Sequence, residues 1–153
     1  MVKGLVKENF KRDKRSPKPK SLVVSRVMSA NRAKHTRTEK SFRKALRDMK
    51  LGHYKLYSKK ISGRPDVVFM RAKLAVFVHG CYWHHCPKCD FPIPKHNRLF
   101  WKAKFERNRE RDARKIRELR RAGWRALVIW EHEVKKNAAR AALKVKRKLD
   151  ALQ

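Results

Sequence analysis

Residues 77–89 read Phe-Val-His-Gly-Cys-Tyr-Trp-His-His-Cys-Pro-Lys-Cys, and these thirteen positions hold three histidines, three cysteines and three aromatic residues. This His/Cys segment continues a run of β-branched and aromatic residues, 73–78, that predicts a buried strand. It therefore begins where a strand ends, and catalytic side chains are common in loops held by such a scaffold. A second predicted strand, 66–70, is entered through a Gly/Pro turn. A hairpin turn at 71–73 would pair the two strands and bring Asp66 near the His/Cys segment.

The composition of the chain indicates a polyanionic partner. Its 153 residues, enough for one domain with a core, include 44 Lys and Arg against 13 Asp and Glu, for a net charge of +31. Such a charge favours nucleic acid, because each phosphate that Lys or Arg neutralises releases condensed counterions. Neither an apolar run of transmembrane length nor a signal-peptide pattern is found, so no membrane partner is expected and a cytoplasmic, nucleoid-associated location is expected.

The cysteines favour a metal site over disulfides. All three lie within nine residues, and an odd, clustered set suits a reduced intracellular site. Cys86 and Cys89 have the spacing of a zinc knuckle, which supplies two of four ligands; the alternative is a reduced dithiol. The candidates for the other two ligands are His132, Asp112, His96, His85 and Cys81.

Two regions of different character divide the chain. Residues 1–27 are predicted to be a disordered basic arm, which either orders on nucleic acid or only adds solubility. Residues 28–153 are predicted to form the folded domain. Thr36 and Glu39 have the spacing of a capping box, and apolar residues then recur at helical spacing until Gly52.

The rest of the domain reads as alternating strands and helices. Strands are predicted at 53–61 and 124–130, and helices at 98–122 and 137–152. One stripe of the long helix carries Phe105, Asn108, Asp112, Ile116 and Leu119. Because a buried unpaired carboxylate is costly, Asp112 needs a partner there. That partner is either one of the many arginines or a metal ion across the core.

Five motifs together resemble the very short patch repair endonucleases. They are residues 63–66, 77–85, 100–101, 108–112 and 123–131. The resemblance implies an α/β fold with a restriction-endonuclease-like core, in which helices flank a mixed central β-sheet, plus a structural zinc site. It further implies a Mg²⁺-dependent endonuclease that nicks one strand 5′ of the thymine in T:G mismatches left by deamination of 5-methylcytosine.

The same resemblance assigns catalytic roles. Asp66 matches a metal-binding aspartate, and Val78 a position that offers Mg²⁺ its backbone carbonyl. His84 matches the histidine that activates the attacking water, and Glu39 and His79 match polar residues that line the site. These roles suit the chemistry, because Mg²⁺ prefers oxygen ligands and histidine exchanges protons near neutral pH.

The resemblance also implies a zinc ligand set. Cys86, Cys89, Asp112 and His132 would hold Zn²⁺ with the one His, two Cys and one Asp of the family, with His and Cys exchanged between two positions. This set is narrower than the candidates left open by spacing alone.

For DNA binding, the resemblance points to four residues. Tyr82 and Trp83 match aromatics that enter the base stack beside the mismatch, and Met28 and Lys104 match residues that approach the same step from the other side. A monomer on mismatched double-stranded DNA is expected, with a MutL-type mismatch-repair factor and a repair polymerase as partners.

Two alternatives compete with this interpretation. A non-catalytic zinc-containing nucleic-acid-binding protein would share the charge, the cysteine pair and the aromatics, but would not require Asp66, His79 and His84 around one strand end. A related nicking nuclease with another substrate would share them all.

Overall fold

A four-stranded mixed sheet lies at the centre of the computed structural model, which describes residues 17–30 and 35–152. The strands are β1 Lys55–Leu56, β2 Val67–Phe69, β3 Leu74–His79 and β4 Arg125–Trp130, hydrogen-bonded in the order β1-β2-β3-β4. The predicted α/β class with a mixed sheet is confirmed. β1 is much shorter than the strand predicted at 53–61.

The predicted hairpin between β2 and β3 is present. The two strands are antiparallel, with Val67 opposite Val76, and the backbone N–H of Lys73 closes the turn onto the carbonyl of Met70 at 3.2 Å. β4 pairs with β3 in parallel, in a register that ends with His79 beside Trp130. Consequently β2 begins, and β3 and β4 end, on the same side of the sheet, which we call the site end.

The described residues form five helices: α1 Leu22–Ala30, α2 Arg37–Asp48, α3 Arg98–Arg121, α4 Glu131–Lys136 and α5 Ala138–Asp150. The predicted start of α2 is confirmed, because Thr36 Oγ1 accepts a hydrogen bond from the backbone N–H of Glu39 at 3.2 Å. α3 ends as predicted before Gly123, whose φ of +76° is a left-handed conformation that glycine adopts without strain. The short helix α4 was not predicted.

The two faces of the sheet bury different helices. On one face Phe42 and Leu46 of α2 and Val145 of α5 pack with Val67 and Val76. On the other face Leu119 of α3 packs with residues of alternate strand positions, Val68, Ala75 and Phe77. Leu119 is only 1% exposed, and burying such a side chain stabilises a fold by roughly 1.5–3 kcal/mol.

The structure describes part of the predicted basic arm, and the division of the chain after residue 27 stays a prediction. Helix α1 crosses the predicted boundary between residues 27 and 28. Its start is capped locally, since Ser21 Oγ accepts a hydrogen bond from the backbone N–H of Val24 at 3.3 Å. Residues 1–16 of the predicted arm lie outside the described residues. Throughout the described ranges, no helix combines the length and the apolar character needed to cross a lipid bilayer.

Candidate active site

The carboxylate of Asp66 lies at the site end, one residue before β2. It accepts a hydrogen bond of 2.7 Å from the backbone N–H of Val78, near the end of β3. Burial is the main reason that the pKa of Asp66 rises to about 6; the Val78 hydrogen bond opposes this rise and the charge of Glu39 adds to it. A carboxylate that is this difficult to ionise is one that a bound cation would stabilise.

Glu39, on the first turn of α2, supplies a second buried carboxylate. Glu39 is only 6% exposed. One oxygen of its carboxylate accepts hydrogen bonds from the backbone N–H of His35 at 2.9 Å and from the hydroxyl of Tyr57. Its other oxygen lies 3.2 Å from the hydroxyl of Thr36. These donors explain how the carboxylate is accommodated in the interior, where an unsatisfied one would be costly.

His84 forms a pair with Asp112 across the site. Nδ1 of His84 lies 2.5 Å from a carboxylate oxygen of Asp112. Partial burial opposes ionisation of Asp112, but the hydrogen bond and charge of His84 outweigh it and lower the pKa of that carboxyl. Because Nδ1 is engaged, Nε2 is the nitrogen of His84 left for chemistry.

His79 stacks on this pair. The rings of His79 and His84 are nearly parallel, with centroids 3.9 Å apart and an interplanar angle of 9°. Burial, followed by the nearby charge of His84, lowers the pKa of His79 to about 3, so its imidazole is neutral at pH 7. Asp66 responds to the charges of both Glu39 and His84, so the four predicted catalytic residues share one electrostatic environment. Their roles in catalysis stay predictions.

A second group, the Cys3His cluster of Cys81, Cys86, Cys89 and His132, lies beside this site. Cys81 follows β3 and His132 follows β4, so the parallel pairing of these strands brings the two residues together. The sulfurs of Cys81, Cys86 and Cys89 lie 3.3, 3.6 and 3.4 Å from Nδ1 of His132. Glu131 supports the loop by accepting a hydrogen bond from the backbone N–H of Cys81 at 3.1 Å.

The geometry and chemistry of the Cys3His cluster fit a metal ion. A tetrahedral Zn²⁺ with ordinary Zn–S and Zn–N lengths separates sulfur from nitrogen by about 3.6 Å, close to the observed distances. Burial and the neighbouring thiols raise the pKa of Cys81 to about 12, although a hydrogen bond from the backbone of His132 opposes the rise. Burial also raises the pKa of Cys89. A bound cation reverses this tendency, because it favours the thiolate form of each ligand.

The structure brings three of the four predicted zinc ligands together, namely Cys86, Cys89 and His132. The ligand set itself stays a prediction. Asp112 lies on His84 and is not part of the Cys3His cluster, where Cys81 is the fourth residue. Cys81 was among the ligands that spacing alone left open. The physical reason is that the stripe of α3 containing Asp112 faces the middle of the His/Cys segment, whereas the cysteines fold towards α4. The nearest partner of the Asp112 carboxylate is His84, whereas Arg111 Nε lies farther away, at 3.8 Å.

The predicted DNA-contacting aromatics belong to a larger group. Tyr82 contacts Trp83 edge to face, with centroids 5.1 Å apart, and Trp101 of α3 contacts both rings at 6.3 Å. The ammonium of Lys104 lies 5.3 Å from the ring centroid of Trp83 and 4.9 Å from that of Trp101. Phe105 forms the buried floor under Tyr82. We call these five residues the aromatic cluster.

Other predicted residues are placed as follows. Asn108, the second polar residue on the α3 stripe, donates a hydrogen bond of 2.9 Å to the backbone carbonyl of Trp83 and so holds the segment in place. Met28 is half-buried on α1. Val78 contributes its N–H to Asp66, and the use of its carbonyl for a metal stays a prediction.

Sequence reasoning missed two residues that the structure brings into the site. Trp101 joins the aromatic cluster, and its position one helical turn before Phe105 could have signalled this. The hydroxyl of Tyr57 donates a hydrogen bond to Glu39, and no sequence pattern predicts that contact because the two residues are distant in the chain.

Known proteins are similar in sequence to this chain over most of its length. The family described as DNA mismatch endonuclease Vsr matches residues 17–90, a range that begins inside the predicted arm. The chain is similar to the type II nicking enzyme V.NaeI of Lentzea aerocolonigenes, with 39% identity over 135 residues, which covers 83% of this chain and 78% of the relative. It is similar to the type II nicking enzyme V.XorIIP of Xanthomonas oryzae pv. oryzae, with 37% identity covering 80% and 86%. The DNA mismatch endonuclease Vsr of Escherichia coli strain K12 is 36% identical over 107 residues, or 70% of this chain and 68% of the relative.

Proposed function

This chain belongs to the DNA mismatch endonuclease Vsr family and is a strand-nicking DNA endonuclease, and from this we propose that it nicks duplex DNA on the 5′ side of the thymine in T:G mismatches. The predicted resemblance and endonuclease activity are thereby confirmed, and the non-catalytic alternative falls. The substrate is proposed to arise by deamination of 5-methylcytosine. We also propose that the mixed sheet and its helices form a restriction-endonuclease-like core.

One observation carries the proposal: the hydrogen bond between His84 Nδ1 and Asp112, next to the buried carboxylate of Asp66. With Nδ1 held by Asp112, His84 can accept a proton at Nε2 from the water that attacks phosphorus. The carboxylate of Asp112 then stabilises the imidazolium that forms. His79, neutral and stacked on His84, holds that ring in place without adding a competing positive charge.

Mg²⁺ is the proposed cofactor, held by the carboxylate of Asp66 and the backbone carbonyl of Val78. Asp66 fits this ion because Mg²⁺ prefers carboxylate oxygen and because a cation would remove the cost of ionising a buried carboxyl. When bound, Mg²⁺ would stabilise the negative charge that develops on the scissile phosphate. Glu39 lines the site and adds negative charge beside Asp66.

Zn²⁺ is proposed for the Cys3His cluster, with a structural role. Three thiolates and one imidazole are a complete ligand set for a tetrahedral ion, with no position left open for a reactant. The ion would join the His/Cys segment to the start of α4. Since the segment also carries His84 and the rings of Tyr82 and Trp83, folding around the metal would fix catalytic and DNA-contacting groups together.

Mismatch selection is proposed to depend on the aromatic cluster. Rings that enter the base stack must open it, and a mismatched step opens at a lower cost than a paired one. Tyr82 and Trp83 lie on the same segment as His84, so a ring at the mismatch would bring a nearby phosphate to the catalytic residues. Met28 is proposed to approach the same step from α1.

The high positive charge supports binding to any duplex. A net charge of +31 attracts the phosphate backbone without regard to sequence, whereas base steps must be distinguished by local contacts. We propose that the protein acts as a monomer in the cytoplasm, on nucleoid DNA, with a MutL-type factor and a repair polymerase as later partners.

A strand-specific nicking assay tests the proposal. Duplexes labelled on either strand, matched or carrying T:G or another mismatch, are incubated with the protein and Mg²⁺. The expected product is one nick 5′ of the mismatched thymine, absent from the matched duplex. Equal nicking of a different mismatch, or a nick confined to a matched sequence, would instead favour a family member with another substrate.

A further inference from the structure

We propose that Tyr57 is a positioning residue that holds the Glu39 carboxylate at a fixed place relative to Asp66. This inference rests on the function proposed above, in which both carboxylates face the reacting phosphate. Tyr57 lies just after β1, within the segment 53–61 that was predicted to be a longer strand.

Tyr57 is hydrogen-bonded to both residues that supply the carboxylates. Its hydroxyl donates to a carboxylate oxygen of Glu39, and its backbone N–H donates to the backbone carbonyl of Asp66 at 3.3 Å. Glu39 comes from the first turn of α2, while Asp66 precedes β2, so the two are otherwise held by separate elements. Tyr57 is thus a direct link between them.

The backbone of Tyr57 is in an unusual conformation. Its φ of +47° is in the left-handed region, which is unfavourable for a bulky side chain. Such a conformation persists only where the surrounding contacts determine it, and residues of this kind concentrate at functional sites. For Tyr57 these contacts are the hydrogen bond from its backbone N–H to Asp66 and the hydrogen bond from its hydroxyl to Glu39.

The hydroxyl of Tyr57 is itself held from several directions. It accepts a hydrogen bond from the backbone N–H of His35 at 3.1 Å and another from Arg43 Nη1 at 3.4 Å. The guanidinium of Arg43 also lies over the Tyr57 ring, 5.9 Å from its centroid, and Arg43 is only 8% exposed. With two donors pointing at the oxygen, the hydroxyl proton is directed to Glu39.

Loss of the hydroxyl would loosen Glu39 without unfolding its helix. The N-terminal contacts of α2 remain, because the backbone N–H of His35 and the hydroxyl of Thr36 still bond to Glu39. The carboxylate would lose one of its donors and its tie to the Asp66 segment. A misplacement of about 1 Å in a catalytic constellation can slow the chemical step by roughly 100-fold.

The variant Tyr57→Phe tests this role, with Tyr54→Phe as the matched control. Tyr54 is partly buried against the core and packs edge to face on Phe69, with centroids 5.7 Å apart. For Tyr57→Phe we expect the single-turnover nicking rate on a T:G duplex to fall by roughly ten- to 100-fold, with duplex Kd and Tm close to wild type. Tyr54→Phe should nick at the wild-type rate.

Two further measurements distinguish positioning from a structural effect. Without DNA, Mg²⁺ should raise the Tm of Tyr57→Phe less than that of wild type, since the two carboxylates no longer act together on the ion. In a double-mutant cycle with Glu39→Gln, Tyr57→Phe should add little further loss of rate, because its effect is exerted through Glu39.

Three results would contradict the positioning role of Tyr57. Wild-type nicking and a wild-type Mg²⁺ response in Tyr57→Phe would overturn the positioning role, as would rate losses that simply multiply in the cycle. A drop in Tm or in duplex binding that accounts for the whole rate loss would also overturn it. If the wild-type protein does not nick T:G duplexes, the proposed function fails, while the Mg²⁺-induced shift in Tm still tests the link between Tyr57 and the two carboxylates.

Discussion

Asp112 contacts His84 rather than the three cysteines that surround His132: its carboxylate lies 2.5 Å from His84 Nδ1. The two residues are 28 positions apart in the chain, one on a helix stripe and one in the loop that follows β3. This contact separates the proposed catalytic residues from the Cys3His cluster, so the two groups can be altered independently.

Replacing Asp112 by Asn should therefore lower nicking while leaving the metal in place. The amide cannot stabilise a protonated His84, so we expect the single-turnover rate to fall by roughly 100-fold or more. Zinc content, measured on the purified protein, should match wild type. Asp90→Asn, an exposed position on the same loop, is the control and should keep full activity. Loss of zinc from Asp112→Asn would mean that the resemblance had assigned the ligands correctly.

Replacing Cys81 by Ala should have the opposite pattern. It removes one of four ligands, and the binding energy of a structural zinc site is folding energy, so both zinc content and Tm should fall. A loss of a few kcal/mol would lower the Tm of a domain of this size by roughly 10 °C. Metal analysis and thermal denaturation measure the two effects. A Cys81→Ala protein that retains one zinc per chain and the wild-type Tm would exclude Cys81 from the site.

Asp66→Asn should abolish nicking and yet stabilise the Mg²⁺-free protein at neutral pH. The pKa of Asp66 is about 6 in the folded protein, above its ordinary value of 3.8, so the folded state binds more protons between these values. The free energy of unfolding therefore falls as pH rises from about 4 to about 6, and stays lower above that range. Since Asn keeps the hydrogen-bond acceptor but carries no charge, it removes a cost of roughly 1–3 kcal/mol.

The measurement is Tm against pH for both proteins without added Mg²⁺. The two curves should meet below pH 4, and Asp66→Asn should be higher by several degrees at pH 8. Added Mg²⁺ should raise the Tm of wild type only. Identical curves at pH 8 would show that the Asp66 carboxylate is not penalised by burial, and would weaken its assignment as the metal-binding group.

Trp83→Ala should reduce preference for the mismatch more than it reduces binding to DNA. Base–aromatic stacking contributes about 1–3 kcal/mol per base, and it is available only where a step opens readily. We expect a roughly ten-fold or larger loss of affinity for T:G duplexes and little change for matched duplexes. Leu99→Ala is the control, because Leu99 is 84% exposed near the start of α3 and lies outside the aromatic cluster. Equal losses on both duplexes for Trp83→Ala would make its ring a packing residue.

Deleting residues 1–16 should weaken binding without changing preference. This segment carries many of the basic residues of the predicted arm, and their contacts with phosphate act on any sequence. Binding isotherms at several salt concentrations should show a shallower salt dependence and parallel losses on matched and T:G duplexes. A selective loss on T:G duplexes would assign part of the recognition to the arm.

Local patterns were sufficient to predict most of the helices and strands. The capping box at Thr36, the hairpin between β2 and β3, and the end of α3 before Gly123 all depend on residues close together in the chain. Such features are predictable because capping, strand alternation and left-handed turns involve only neighbouring backbone groups. The His/Cys segment indicated a metal or catalytic site for a similar reason, because three histidines and three cysteines lie within thirteen consecutive residues.

The tertiary structure was needed wherever two distant segments had to be matched. Sequence spacing could not tell whether Asp112 or Cys81 completes the group around Cys86, Cys89 and His132. The answer depends on how the loop after β3 is oriented relative to α3 and α4. Nor could spacing bring Tyr57 to Glu39, a contact between residues 18 positions apart on different elements. The physical reason is that metal ligation and buried hydrogen bonds require positions correct to a fraction of an ångström. Such positions arise only when the sheet register and the packing of both helix layers act together.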